Sequence, residues 1–144
     1  MAISQILVAT DGSPGASRAV IAAAELAKAL NGDLLIVTLA ENISITEMAQ
    51  LVHSEGGIAK TLDLIAARIL LEAKELAANV GLPRVRTWSG SGDVAEGIID
   101  LARREHTDII VVGRRGRGQL AGLLLGSVSQ KLVSVAPSLV LVVP

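Results

Sequence analysis

Residues 3–14, Ile3-Ser4-Gln5-Ile6-Leu7-Val8-Ala9-Thr10-Asp11-Gly12-Ser13-Pro14, carry the pattern that decides the fold. Ile3 to Ala9 is short, apolar and stopped by Thr10-Asp11-Gly12, which is how a buried β-strand reads. Ser13 is a good helix N-cap. Pro14 fits the first helical position, where its missing N–H would have no partner in any case. A strand that passes into a helix through a tight turn is half of a βαβ unit. The helix continues with Val20, Ala23, Ala27 and Leu30 on one face and Arg18, Glu25 and Lys28 on the other. Asn31-Gly32 ends it, with Gly32 expected as the left-handed cap.

The same alternation runs outward along the rest of the chain. Leu34 to Leu39 is a second strand. Ala40 to Gly57 lacks a clean period and reads as an irregular connection, with a short helix around Thr46 to Val52. Ile58, Leu62, Ile65, Ile69, Ala73, Leu76 and Val80 mark a long amphipathic helix that Gly81-Leu82-Pro83 stops. Val85 to Trp88 is a short third strand and Ser89-Gly90-Ser91-Gly92 a flexible turn. Asp93 to Glu105 is a helix with Val94, Ile98 and Leu101 inward, and His106 lies exposed near its end. Asp108 to Val112, Ser127 to Val135 and Leu139 to Val143 are strand, helix and strand. Strands that alternate with helices make a parallel sheet covered on both faces. Ligands of such sheets bind beyond the carboxyl ends of the strands. Here those ends carry Thr10-Asp11-Gly12, Leu39-Ala40, Ser89-Gly90 and the stretch from Gly113 onward.

Composition narrows the function classes. With 144 residues the chain is expected to be a single domain over 1–144. Hydrophobic residues make up 51% of it, yet it has one Trp and no Phe or Tyr. Aliphatic side chains therefore build the core, and rings that could stack on a base or a flavin are scarce. A net charge of −1 favours neither nucleic acid nor an anionic membrane as partner. With no cysteine there is no disulfide, thiol nucleophile or thiolate metal site. His53 and His106 lie far apart without ligand-spaced partners. The N-terminus lacks the basic start and long apolar stretch of a signal peptide, and no apolar run is long enough to span a bilayer. A cytoplasmic protein is the expectation.

The most informative stretch is Gly113-Arg-Arg-Gly116-Arg-Gly118-Gln-Leu-Ala-Gly122-Leu-Leu-Leu-Gly126-Ser127. It follows a strand and leads into a helix. Its glycines let backbone N–H groups approach an anion. The helix start at Ser127 and Val128 adds unpaired donors and a favourable dipole. Arg114, Arg115 and Arg117 bring positive charge to the same place. Ser127 with Gln130 is also spaced as a capping box, which needs no ligand. Asp11 before Gly12 can likewise be a turn residue only, Asp93 is a helix-start charge, and Glu41 a loop charge. Gly113 to Gly118 has Walker-loop spacing, but Gln119-Leu120 stands where Lys and Ser/Thr would hold phosphate and magnesium. Gly116-Arg-Gly118-Gln-Leu-Ala121 imitates a dinucleotide fingerprint, but it follows the fourth strand rather than the first.

A third match covers nearly the whole chain. Gly113-x2-Gly116-x9-Gly126-Ser127 has the spacing of the ATP-binding motif of the universal stress protein family. Ile6-Leu-Val-Ala-Thr-Asp-Gly-Ser13 resembles that family's first strand and turn. Asp108-Ile-Ile-Val-Val-Gly113 resembles its fourth strand, and Ala136-Pro-Ser-Leu-Val-Leu-Val-Val143 its last. The resemblance implies a Rossmann-like, adenine nucleotide alpha hydrolase-like α/β fold. Its open five-stranded parallel sheet has strand order 3-2-1-4-5, with helices on both faces. It also implies ATP as ligand, with Mg2+ as a companion. Carried onto this sequence, Ala9 and Thr10 would line an adenine pocket and Asp11 would meet the base or ribose edge. Leu39 would offer backbone to the base. Val112, Gly113, Arg115 and Gly116 would surround ribose and phosphates, and Gly126, Ser127 and Val128 would close on the phosphate tail.

The functional expectation is a nucleotide-binding stress-response protein with little or no hydrolysis. The alternative is a nucleotide-hydrolysing or nucleotidyl-transfer enzyme of the related superfamily, since fold alone does not decide function. A receiver domain would need an acidic cluster, a phosphorylatable Asp ending the third strand and a Lys near the fifth. The third strand here ends in Trp88-Ser89. A flavodoxin would need aromatic rings around its flavin. In strand order 3-2-1-4-5 the wholly apolar Leu139-Val-Leu-Val-Val143 lies on an edge, and an apolar edge invites pairing. A homodimer through this C-terminal strand is expected.

Overall fold

The computed structural model describes residues 2–40, 57–114 and 125–144. The connection expected over Ala40–Gly57, apart from its ends, lies outside them. So does the interior of the glycine-rich loop, with Arg115 and Gly116. The elements run β1 (Gln5–Ala9), α1 (Pro14–Leu30), β2 (Asp33–Ala40), α2 (Gly57–Asn79), β3 (Arg86–Ser91), α3 (Val94–Arg104), β4 (Ile109–Gly113), α4 (Ser127–Val135) and β5 (Leu139–Val143). The strands form one five-stranded sheet in the order β3-β2-β1-β4-β5, and each pairs in parallel with its neighbour. The expected fold class and strand order are therefore present.

Strand side chains alternate between two cores, as a period of two requires. Ile6, Val8, Leu34, Ile36, Ile109 and Val111 pack with the alanine-rich face of α1 and with Ala73 and Ala77 of α2. Leu7, Leu35, Val37, Ile110 and Val112 pack on the other side with Ile98, Ile99, Leu101 and Ala102 of α3 and Leu132 of α4. Small residues on α1 let that helix lie close to the sheet. At the amino ends of the strands, Asp108 accepts the backbone N–H groups of Ser4 and Gln5, each at 2.9 Å. These two bonds hold its carboxyl below the ordinary aspartate value.

Local details differ from the sequence reading. Leu30, expected on the buried face of α1, is 43% exposed, and β1 and β3 begin later than expected, at Gln5 and Arg86. Three further differences have a clear physical cause. The left-handed residue ending α1 is Asn31, at φ 53°, and not Gly32. Gly32 donates its N–H to Ala27 O at 2.8 Å. It must be glycine because a Cβ there would lie 2.8 Å from Ser4 O. The second difference is β3, which continues through Ser91, because Ser89, Gly90 and Ser91 pair with Thr38, Leu39 and Ala40. Edge pairing overrides the turn-forming composition of that stretch. Thirdly, α4 is capped by Gly126 and has no side-chain cap bond, so Ser127 and Gln130 do not form the capping box. His106 is exposed at φ 51°, just past α3, and Asp93 caps α3 by accepting Glu96 N–H.

Candidate functional site

The carboxyl ends of β1, β2 and β4, the start of α4 and one face of α2 enclose a cavity of about 570 Å³. Eleven residues are site candidates from the sequence, and nine of them fall in the described part. All nine line this cavity: Ala9, Thr10, Asp11, Leu39, Val112, Gly113, Gly126, Ser127 and Val128.

The floor is set by where β1 stops. Thr10 N–H donates to Val37 O at 2.9 Å, past the last paired residues, Ala9 and Val37. The chain then turns away into α1. Gly12 N–H donates to Thr10 Oγ1 at 3.1 Å, and Ser13 N–H donates to Asp11 Oδ1 at 2.9 Å. Gly12 supplies the positive φ of 80° that this turn requires. Ser13 then caps α1, its Oγ accepting Ala16 N–H at 3.2 Å. Asp11 is thus a turn residue and a cavity residue at once.

β2 runs further than β1. In a parallel ladder the backbone groups of alternate residues face the same neighbour. Val37 turns its backbone toward β1, so Leu39 does too, at a level where β1 has already left the sheet. The Leu39 N–H and C=O therefore point over the cavity floor.

The glycine-rich loop is closed at its stem. Arg114 N–H donates to Val143 O at 2.7 Å. Arg114 O accepts Gly126 N–H at 2.8 Å and the Ser129 hydroxyl at 2.9 Å. That same hydroxyl lies 3.0 Å from Gly126 O. This latch brings the first turn of α4 against the end of β4. The first helical amides, Ser127, Val128 and Ser129, have no intrahelical acceptor by helix geometry. Their dipole end faces the cavity. Among the described residues lining the cavity, only Asp11 and Arg114 carry charge.

Gly126 sits at φ −74° and ψ 170°, a conformation open to any residue. Its place therefore does not require the backbone freedom of glycine. Gly113 is glycine for space: a Cβ there would lie 3.1 Å from Gly15 C and O and 3.3 Å from Ala16 N. It lets the first turn of α1 approach the end of β4.

Sequence reasoning missed one wall and one latch. Leu62, Ile65, Ala66 and Ile69 of α2 line the cavity at helical spacing. Periodicity identifies their face, but it does not tell a face over a sheet from a face over a cavity. Ser129, 2% exposed, is overshadowed in the sequence by Ser127, which matches the motif. Among the described residues no helix is long and apolar enough to cross a membrane, and no group of His, Cys, Asp and Glu could hold a metal ion.

Comparison with known proteins identifies the family and the fold. A model of the universal stress protein family matches residues 2–144. A universal stress protein from Thermus aquaticus is 37% identical over 138 residues, covering 96% of both chains. Among solved structures, universal stress protein UspA from Lactobacillus plantarum superposes with a TM-score of 0.82 at 22% identity, covering 100% of this chain and 99% of its own. A universal stress protein solved in complex with cAMP superposes with a TM-score of 0.77 at 29% identity, with the same coverage. The chain belongs to the universal stress protein family.

Proposed function

We propose that the cavity binds ATP or a close adenine nucleotide, and that the protein is a regulatory nucleotide binder with little or no hydrolysis, working in the cytoplasm as a homodimer. The observation that supports this reading is that nine of the residues the family resemblance implies, from four segments of the chain, line one cavity. A volume of about 570 Å³ lies within the range of small-molecule sites. The relative crystallised with cAMP supports an adenine nucleotide in particular.

The chemistry of the donor set fits. Leu39 presents an N–H and a C=O side by side, which match adenine N1 as acceptor and the N6 amino group as donor. Guanine carries O6, an acceptor, where adenine has its amino donor, so it meets the same strand edge with mismatched groups. The aliphatic walls bury the base without stacking. Asp11 reaches the ribose edge. The amides of Ser127 and Val128, together with the Arg114 guanidinium, hold the phosphate tail. Arg115 and Gly116 complete the ribose and phosphate contacts in this reading. A magnesium ion would ride on the phosphates and supply charge neutralisation there.

The homodimer reading rests on β5. It is an edge strand, with Leu139 46% and Leu141 38% exposed. The nucleotide reading is tested by purifying the protein natively, denaturing it and identifying the released small molecule by mass spectrometry. ATP, ADP or AMP is the expected result. A guanine nucleotide or a flavin overturns it. Release of phosphate from ATP with magnesium at enzymatic rates overturns the regulatory half.

A further inference from the structure

Leu39 is held by its side chain, and the residue that makes room for it is a glycine in the wrong place for a helix. Gly97 lies in the first half of α3, and its N–H donates to Asp93 O at 3.0 Å in ordinary helical fashion. No positive φ calls for glycine there, and glycine is the poorest helix former after proline. Space explains it. A methyl group on Gly97 would overlap Leu39 Cδ2, with Leu39 Cγ and Cδ1 at 3.6 and 3.7 Å. The Leu39 side chain therefore occupies the space that a Cβ on residue 97 would take.

A second glycine closes the other side. Gly90 is the register partner of Leu39 on β3. A Cβ on Gly90 would overlap the Trp88 indole, so the ring lies across Gly90. Trp88, Leu39 and Val94 all pack against the same core. Leu39 thus has its side chain against α3, beside Gly90 of β3 and the core on which Trp88 also packs, while its backbone edge faces the cavity.

We propose that this socket, made by Gly97 and Gly90, sets the position of the Leu39 backbone, and that Gly97 is a positioning residue for base selection. The inference rests on the reading of Leu39 as the edge that meets the base. A shift of a few tenths of an ångström at Leu39 would misalign the N–H and C=O with the base, while the phosphate end, built from β4 and α4, would be untouched.

The test is a double-mutant cycle read by calorimetric titration with ATP, GTP and inorganic tripolyphosphate. Gly97→Ala pushes Leu39 out of that space, and Leu39→Val shortens the side chain so that it no longer fills it. Each single substitution is expected to lower the ATP-to-GTP affinity ratio by about tenfold. Tripolyphosphate affinity should stay within about twofold of the parent. Leu39→Val with Gly97→Ala together removes a methylene and returns a methyl, so the ratio should recover to within about threefold of the parent. Thermal melts confirm folding. If Gly97→Ala alone does not fold, Leu39→Val and the double variant still complete the comparison. A ratio unchanged in both single variants overturns the proposal, as does a double variant no better than either single. A parent with no preference for adenine overturns the reading beneath it, and the socket's role with it. A parent that prefers adenine while both single variants keep the parent's ratio sinks the socket alone.

Discussion

Replacing Ser129 with Ala removes the side-chain part of the latch between the end of β4 and the start of α4. Ser129 is 2% exposed, and its single hydroxyl proton is shared between Arg114 O at 2.9 Å and Gly126 O at 3.0 Å. Neither carbonyl is orphaned by the change. Arg114 O keeps Gly126 N–H at 2.8 Å, and Gly126 O keeps Gln130 N–H at 2.9 Å. The loss is therefore that of one net hydrogen bond, about 0.5–1.5 kcal/mol. Alanine's better helix propensity returns up to about 0.5 kcal/mol of it. The net loss of about 0–1.5 kcal/mol, centred near 0.5–1, should lower Tm by roughly 2–4 °C in a domain of this size, by differential scanning calorimetry. Because the latch also fixes the amides of Ser127 and Val128, ATP affinity should fall about threefold to tenfold by titration calorimetry. Ser127→Ala is the control. Ser127 is exposed, so its removal should leave Tm unchanged and weaken ATP by no more than one hydrogen bond, about 0.5–1.5 kcal/mol. The reasoning is refuted if Ser129→Ala matches the parent in both Tm and affinity.

Gly113→Val should destabilise the fold itself by about 1–3 kcal/mol in urea unfolding, because the added carbons meet the α1 backbone only 3.1 Å away; an unchanged midpoint would refute that contact. Asp108→Asn should lower Tm at neutral pH. The native carboxyl titrates below its unfolded value, so its contribution is present above about pH 4 and lost as pH falls through the native pKa. The gap between parent and variant should then close in acid, and a constant gap down to pH 2 would contradict it. Leu139→Glu with Leu141→Glu should convert a dimer to a monomer by light scattering, since burying the exposed part of each leucine, under half of its surface, contributes about 1 kcal/mol and a glutamate there places a charge in the contact. A variant that remains dimeric places the contact elsewhere.

What the sequence made legible was mostly local. The Ser13-Pro14 start of α1 lies where its cap places it, and the spans of α4 and β5 agree with the sequence reading, although the capping box expected at Ser127 does not form. The alternation of strand and helix implies a parallel sheet, while the strand order came from family resemblance and not from periodicity. The misses share a physical cause: they depend on what lies opposite in space. Gly32 faces Ser4, Gly113 faces Gly15, and Gly97 faces Leu39. A sequence shows a glycine but not the atom that forbids its Cβ. Ser89-Gly90-Ser91 has the composition of a turn and becomes a strand because β2 offers it a ladder. Ser129 lies two positions beyond the motif serine and forms the bonds that hold the loop stem. The α2 wall needed the sheet in place before its apolar row could be assigned to the cavity.

The central claim is that this cavity takes an adenine nucleotide with its phosphates at the start of α4. Calorimetric titration of ATP into nucleotide-free parent protein and into Gly126→Val, each shown folded by circular dichroism, tests it most directly. Gly126 is buried and lines the cavity, so a valine there adds bulk at the proposed phosphate site. The account predicts saturable binding of ATP to the parent and none to the variant. A parent that takes up no ATP, or a folded Gly126→Val protein that binds it as tightly as the parent, would contradict it.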